Sequence, residues 1–73
     1  MIEVRLFATL REGRGKILHM EAGEIAVAGD IIRRLEIPAE EVAILLINGF
    51  HQKPETPVRD GDIVAIFPPV GGG

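Results

Sequence analysis

The last residues, Phe67 to Gly73, read F-P-P-V-G-G-G, and the carboxylate of Gly73 is a group that could do chemistry. Pro68 and Pro69 lack amide donors, so we expect strand pairing to stop there and the chain to leave extended. Seven extended residues reach about 23–25 Å, and glycines carry no Cβ to block a narrow channel. We predict that this tail, 68–73, brings Gly73 into a partner's active site. A merely flexible tail is the alternative.

The side chains offer little other chemistry. The sequence has no Cys and no Ser, and its only hydroxyls are Thr9 and Thr56. His19 and His51 lie far apart, and neither stands in a metal-ligand spacing. We therefore expect no catalytic side chain and no metal site.

Composition narrows the class of partner. The 73 residues allow one domain, with eight basic and eleven acidic residues, a net charge of −3, three Phe and no Tyr or Trp. Nucleic-acid binders usually carry a basic face and stacking aromatics, so we expect no nucleic acid. The longest apolar run, Val42 to Ile47, is far too short to span a bilayer. With no signal peptide pattern and no cysteine, a cytoplasmic protein without membrane contact is expected.

A small basic cluster, Arg11, Arg14 and Lys16, lies near the first predicted turn. So few charges more often mark a solvated turn than a binding site. Contact with an anion or a partner remains the alternative.

The spacing of apolar residues along the sequence then predicts the strands and the helix that position the tail. Alternating apolar residues predict a strand over Ile2 to Ala8, with Ile2, Val4, Leu6 and Ala8 on the core side. A second strand follows from about Lys16 to Glu21, after a polar turn. Apolar residues at Ala28, Ile31, Ile32 and Leu35 then predict a helix, although no capping side chain stands near Val27.

Three more strands are predicted after Pro38. Val42 to Ile47 is apolar throughout, which predicts a strand that is buried on both faces or lies centrally with something covering it. Asn48-Gly49 favours a tight hairpin turn into a strand at about Phe50 to Lys53. Asp60-Gly61-Asp62 predicts another turn before Ile63 to Phe67. The order β-β-α-β-β-β indicates an α+β domain over residues 1–67.

A single helix covers only one face of such a sheet. The other face is then expected to carry Phe7, Ala65, Phe67 and one side of the Val42 to Ile47 strand. A contiguous apolar patch of this kind predicts a docking surface, whereas scattered exposed apolar residues would need no explanation.

The element order, "LINGF", "RDGDIVAIFPPV" and the terminal Gly-Gly resemble the β-grasp sulfur carriers. This ubiquitin-like family comprises the small subunit of molybdopterin synthase and the thiamine-pathway sulfur carrier. The resemblance covers the whole chain and implies a mixed sheet of four to five strands with one main helix. "VRLFATLRE" and "FPPV" are more similar to the molybdopterin synthase subunit, whereas "GGG" leans towards the thiamine carrier.

The resemblance implies a carrier that is not itself an enzyme. An ATP-dependent adenylating enzyme would activate the Gly73 carboxylate, and a sulfur donor would convert it to a thiocarboxylate. Gly71 and Gly72 would thread the tail into that enzyme, which alone uses ATP. The uncovered sheet face and the start of the tail, rather than the resemblance, predict the partner-binding positions Phe7, Phe67, Pro68, Pro69 and Val70. The large subunit of molybdopterin synthase or the thiazole synthase would then receive the sulfur.

Two other functions stay open. A ubiquitin-like modifier would use the same activation but end in an isopeptide bond between Gly73 and a lysine of another protein. A plain interaction domain would have an inert tail and would tolerate loss of Gly72 and Gly73.

Overall fold

A computed structural model describes residues 1–69 of the chain. Within them the strands are β1 (Ile2–Leu6), β2 (Ile17–Met20), β3 (Ile44–Ile47), β4 (Phe50–His51) and β5 (Ile63–Phe67), and the α-helix is α1 (Ala28–Arg34). Three short 3₁₀ turns lie at Ala8–Arg11, Ala22–Glu24 and Ala39–Glu41. The predicted α+β class and the order β-β-α-β-β-β are confirmed.

The five strands form one mixed sheet in the order β2-β1-β5-β3-β4. β1 and β5 run parallel at the centre, and the other neighbours are antiparallel. The last strand is therefore flanked on both sides, so the backbone that leads into the tail is held by two ladders of hydrogen bonds.

The core lies between this sheet and α1, and the period-2 alternation explains its composition. Ile2, Val4 and Leu6 of β1 are fully buried, and so are Val64 and Ile66 of β5. The helix and β3 complete the core with the buried side chains of Ala28, Ile31, Ile32, Leu45 and Ile47. Burying this apolar surface is the main favourable term for a domain of this size.

The start of α1 is stabilised by a residue inside the helix. The Asp30 carboxylate accepts the backbone N–H groups of Ala26 at 2.9 Å and Val27 at 3.1 Å. Carbonyls of the loop after β4 accept two further amides, from Ala28 to Thr56 at 3.0 Å and from Gly29 to Pro54 at 2.7 Å. The helix start is thus well specified without the Ser, Thr, Asn or Asp cap that the sequence lacks at Val27.

The turns predicted at Asn48-Gly49 and at Asp60-Gly61-Asp62 are both present, at the end of the sheet away from the tail. Asn48 and Gly49 take φ values of 52° and 87°, which suit a tight hairpin between β3 and β4. The Asn48 side chain donates to Asp62 Oδ1 and accepts the N–H of Ile63, each at 2.9 Å. Asp62 also accepts the Arg59 amide at 2.9 Å, so the two turns lock together where β5 begins.

Three boundary predictions were wrong. Ala8 is exposed, with φ 52°, because the chain leaves the sheet after Leu6 and enters a 3₁₀ turn. β3 begins at Ile44 rather than Val42, and Ile44 is 38% exposed, so this strand is not covered on both faces. β4 ends at His51 rather than Lys53, shortly before Pro54, which cannot donate to a ladder.

Candidate functional site

The tail leaves the sheet from the end of β5. Phe67 is the last residue of that strand, and its carbonyl accepts the Ala43 amide at 2.9 Å. Pro68 is half-buried and Pro69 is exposed. The predicted tail residues Val70, Gly71, Gly72 and Gly73 lie outside the described residues, so their roles stay predictions.

Two aromatic side chains stack at this exit. The rings of Phe7 and Phe67 lie 4.1 Å apart between centroids and 12° from parallel. Phe7 follows β1 and Phe67 ends β5, so the parallel pairing of these strands brings them together. The Arg11 guanidinium lies 5.4 Å from the Phe7 centroid, and its Nε donates to the Leu6 carbonyl at 2.8 Å. Arg11 therefore holds Phe7 by both a cation–π contact and a fixed backbone anchor.

The stack belongs to an apolar surface on the face opposite α1, as predicted. Ile44 pairs with Phe67, and Leu46 pairs with Ala65, so β3 and β5 present these side chains in two adjacent rows. Ile63 continues the surface and is 36% exposed. We call Phe7, Ile44, Leu46, Ile63, Ala65 and Phe67 the outer face. No described element of the chain packs over it, so it is available to a partner.

Charged side chains border the outer face on the β1–β2 side. Arg5 Nε lies 2.5 Å from Glu3 Oε2, and His19 Nε2 lies 3.9 Å from Glu3 Oε1. All three side chains are partly or largely exposed, so these pairs add little to stability. His51 lies across from Leu46 at the opposite edge of the sheet, far from His19.

The basic cluster predicted from the sequence divides in the structure. Arg14 donates to the carbonyls of Leu35 at 3.1 Å and Leu10 at 3.2 Å, so it joins the first turn to the end of α1. Arg11 and Lys16 instead line a shallow depression together with Arg5. Arg5 was not included in the predicted cluster, although the alternation along β1 places its side chain on the same face of the sheet as Phe7.

A second, larger hollow of about 480 Å³ lies on the other face, between α1 and the β3–β4 hairpin. Ile32, Ile37, Val42 and Leu45 contribute to its wall. Within residues 1–69, no group of three or more His, Asp or Glu side chains is placed to hold a metal ion. None of the helices in that same stretch combines the length and the hydrophobicity that spanning a bilayer requires.

The described geometry thus offers an apolar surface, an aromatic stack at its edge, and Pro68 and Pro69 directly after that stack. Residues 4–73 match the ThiS family. The chain belongs to the ThiS family.

Relatives of this ThiS-family chain include small archaeal modifier protein 3 of Haloferax volcanii. The two are 34% identical, and the match covers 99% of this chain and 98% of the relative. A crystal structure of small archaeal modifier protein 1 from the same organism superposes with a TM-score of 0.78 at 25% identity, covering 99% of this chain and 98% of that one.

A putative molybdopterin converting factor subunit 1 from Pyrococcus furiosus gives a TM-score of 0.74 at 25% identity. That match covers 94% of this chain and 97% of the other. The resemblance to ubiquitin-like β-grasp carriers of the thiamine and molybdopterin type is therefore confirmed, and so is the β-grasp fold.

Proposed function

We propose that this protein is a sulfur carrier that works through its chain end. A partner enzyme adenylates the Gly73 carboxylate, and a sulfur donor then converts the acyl-adenylate to a thiocarboxylate. The observation that carries this proposal is the extent of the ThiS match. It runs over residues 4–73 and so includes both the outer face and the three glycines.

The chemistry explains why the chain needs no reactive side chain. A free carboxylate is a poor acyl donor because its negative charge repels nucleophiles. Transfer of AMP from ATP masks that charge and supplies a leaving group, with pyrophosphate released. A sulfur nucleophile then forms the C–S bond at Gly73 as the C–O bond to AMP breaks. ATP binding and catalysis belong to the partner, so the carrier itself binds no cofactor and is not an enzyme.

The outer face supplies the docking surface for the adenylating enzyme in this proposal. Phe7 and Phe67 contact the enzyme, and Pro68, Pro69 and Val70 continue the contact along the tail. Large apolar and aromatic side chains contribute most to such interfaces when they become fully buried. Because the stack stands where the tail begins, docking there would fix the direction in which Gly71 and Gly72 enter the enzyme.

Molybdopterin synthesis is the proposed pathway, with the large subunit of molybdopterin synthase as the acceptor of sulfur. The similarity to a protein named molybdopterin converting factor subunit 1 supports this choice. Thiazole synthesis for thiamine is the alternative, in keeping with the family's name. The proposed reaction needs ATP and reduced sulfur, which supports a cytoplasmic location.

A second function rests on the relative named small archaeal modifier protein 3. In that case the same acyl-adenylate would be attacked by a lysine amine of another protein, forming an isopeptide bond with loss of AMP. Activation is common to both functions, so the fate of the activated Gly73 distinguishes them.

The absence of cysteine gives a direct test. The protein is purified from its own cells, treated with a thiol alkylator and measured as an intact mass, followed by mapping of the adduct. We expect one alkyl group on Gly73. Mass gain without alkylation is insufficient, because oxidation of Met1 or Met20 adds almost the same mass as sulfur replacing oxygen.

Two results would overturn the carrier proposal. One is a carboxylate at Gly73 that stays unreactive after incubation with ATP, a sulfur source and the adenylating enzymes of the same genome. The other is recovery of Gly73 only in isopeptide linkage to other proteins, which would establish the modifier function instead.

A further inference from the structure

A shallow depression of about 210 Å³ adjoins the outer face beside Phe7. Its lining residues are Arg5, Leu6, Phe7, Arg11, Lys16 and Ile17. Every charged residue in that lining is basic, although the chain as a whole carries a net charge of −3. We call Arg5, Arg11 and Lys16 the basic corner.

Positive charge at the basic corner is only partly neutralised within the protein. The Arg5 guanidinium pairs with Glu3 at 2.5 Å. The Arg11 Nε donates to the Leu6 carbonyl, and the Arg11 guanidinium packs over the Phe7 ring. Neither of these partners carries a negative charge. Among the ion pairs of the described residues, none involves Arg11 or Lys16. The corner can therefore attract carboxylates from another molecule.

Apolar surface lies in the same depression. Ile17 is 53% exposed, and Phe7 is half-buried in its stack with Phe67. An apolar floor with cationic groups around it suits a protein segment that presents an apolar side chain flanked by Asp or Glu. The depression is also continuous with the outer face through Phe7, so one partner could cover both.

We propose that the basic corner binds an acidic segment of the adenylating enzyme and thereby selects that enzyme. This inference rests on the proposed function and adds the chemistry of the partner surface. The outer face supplies apolar contact area, which many proteins could match. The corner supplies charge, which rejects partners that place basic residues opposite it.

Charge at the edge of an interface acts mainly on the rate of association. Complementary potentials guide the partners together, and salt screens this guidance. At about 0.1 M ionic strength the screening length is about 10 Å, so the effect is large at low salt and nearly lost at about 1 M. If the basic corner guides binding, the association rate should fall as the salt concentration rises.

The chain contains two lysines, which give a matched pair of variants. Lys16→Glu reverses a charge at the basic corner. Lys53→Glu makes the same change just beyond β4, at the opposite edge of the sheet from β2. Both residues are exposed, so the variants share one change in net charge and differ in its position.

The partner used is the adenylating enzyme of the same genome that charges the wild-type Gly73 in the presence of ATP. Binding is followed by surface-coupled kinetics at about 50 mM and about 1 M salt. We expect Lys16→Glu to bind roughly tenfold more weakly at low salt, chiefly through slower association, and to approach wild type at high salt. Lys53→Glu should bind the enzyme as wild type does at both salt concentrations.

Equal affinities for Lys16→Glu and Lys53→Glu, with wild type charged normally, would overturn this inference and leave the proposed function intact. A wild-type chain that no adenylating enzyme of its genome charges would overturn both. Circular dichroism and thermal unfolding check that each variant is folded. If Lys16→Glu is not folded, Lys16→Gln and Lys53→Gln replace the pair, with a smaller expected difference.

Discussion

Gly29 lies where the first turn of α1 meets the loop after β4. Its amide donates to the Pro54 carbonyl at 2.7 Å, and a Cβ at this position would lie 3.3 Å from that same oxygen and 3.4 Å from Arg33 Nη1. The loop is also held by the Val27–Pro57 bridge, so its backbone cannot easily withdraw. A Cβ at this position therefore fits only if the Pro54 carbonyl moves by a few tenths of an ångström.

We predict that Gly29→Ala lowers the free energy of unfolding by about 1 kcal/mol. Alanine would gain about 1 kcal/mol in helix propensity, but overpacking against a backbone carbonyl costs typically 1–3 kcal/mol. Chemical denaturation followed by circular dichroism measures the difference. Gly23→Ala is the control, because a Cβ there meets no atom within 4 Å. A Gly29→Ala variant more stable than wild type would show that the loop yields.

Asp30 makes the start of α1 sensitive to pH. Hydrogen bonds from the amides of Val27 and Ala26 hold the pKa of its carboxyl below the ordinary value of 3.8, and Arg33 adds to the effect. A depressed pKa contributes stability that is present above the unfolded value and is lost as the pH falls through the folded value. The helix start should therefore weaken only below about pH 4.

Asp30→Asn tests this assignment. We expect the variant to melt below wild type at pH 7, and the gap to narrow at pH 3 because wild-type Asp30 is then becoming protonated. Thermal unfolding at the two pH values measures the gap. Glu55→Gln serves as control, since this exposed carboxylate makes no side-chain hydrogen bond among the described residues. An unchanged gap would mean that the Asp30 charge does not matter.

At the scale of elements, patterns that repeat along the sequence predicted the structure well. β5 was placed correctly at both ends, because Val64 and Ile66 alternate with less buried residues and Asp60-Gly61-Asp62 limits the strand. Local contacts between distant segments could not be predicted in this way. The start of α1, for example, also depends on the Pro54 and Thr56 carbonyls of the loop after β4, which accept the amides of Gly29 and Ala28.

The candidate site likewise has features that the sequence pattern predicted and features that it did not. The sharing of one sheet face by Phe7 and Phe67 followed from alternation and from the single helix. Their stacking did not, since it requires β1 and β5 to be parallel neighbours with Phe7 just beyond the end of β1. Arg14 was grouped with a surface cluster, yet two backbone carbonyls at 3.1 and 3.2 Å occupy its guanidinium.

β5 contributes to both the core and the proposed docking surface, and Phe67→Glu separates these two roles. Phe67 lies on the outer face, so the variant should lose the ring stack, worth about 1 kcal/mol, and stay folded. If Phe67 is a central contact of the interface, affinity for the adenylating enzyme should fall roughly 30-fold or more. Titration calorimetry measures the affinity. We expect Phe7→Glu to behave in the same way.

The third phenylalanine provides the control for that experiment. Phe50 pairs with Ile47 at the far end of β3 and is 71% exposed, which is the largest exposure among the apolar residues of the strands. Phe50→Glu should bind like wild type. If Phe67→Glu and Phe50→Glu weaken binding equally, the outer face is not the docking surface.

For the whole molecule, stability and activity are expected to depend on different parts of the chain. The buried core of the described residues runs from Ile2 to Ile66, with β5 held between β1 and β3. The proposed chemistry instead takes place at Gly73, seven positions beyond the last core residue. Changes at the chain end should therefore affect charging without affecting folding.

Deletion of Gly72 and Gly73 tests this separation. The shortened chain still ends in a glycine carboxylate, so its intrinsic reactivity is unchanged, but its reach from the docked outer face falls by about 7 Å. We expect a melting temperature within about 2 °C of wild type and unaltered docking, together with loss of ATP-dependent charging by at least about 100-fold. ATP–pyrophosphate exchange with the adenylating enzyme measures the charging step. Wild-type exchange by the folded, shortened protein would mean that the full reach of the tail is not needed for charging. If even the wild-type chain supports no exchange with any adenylating enzyme of its genome, the plain interaction domain is the better account of this chain.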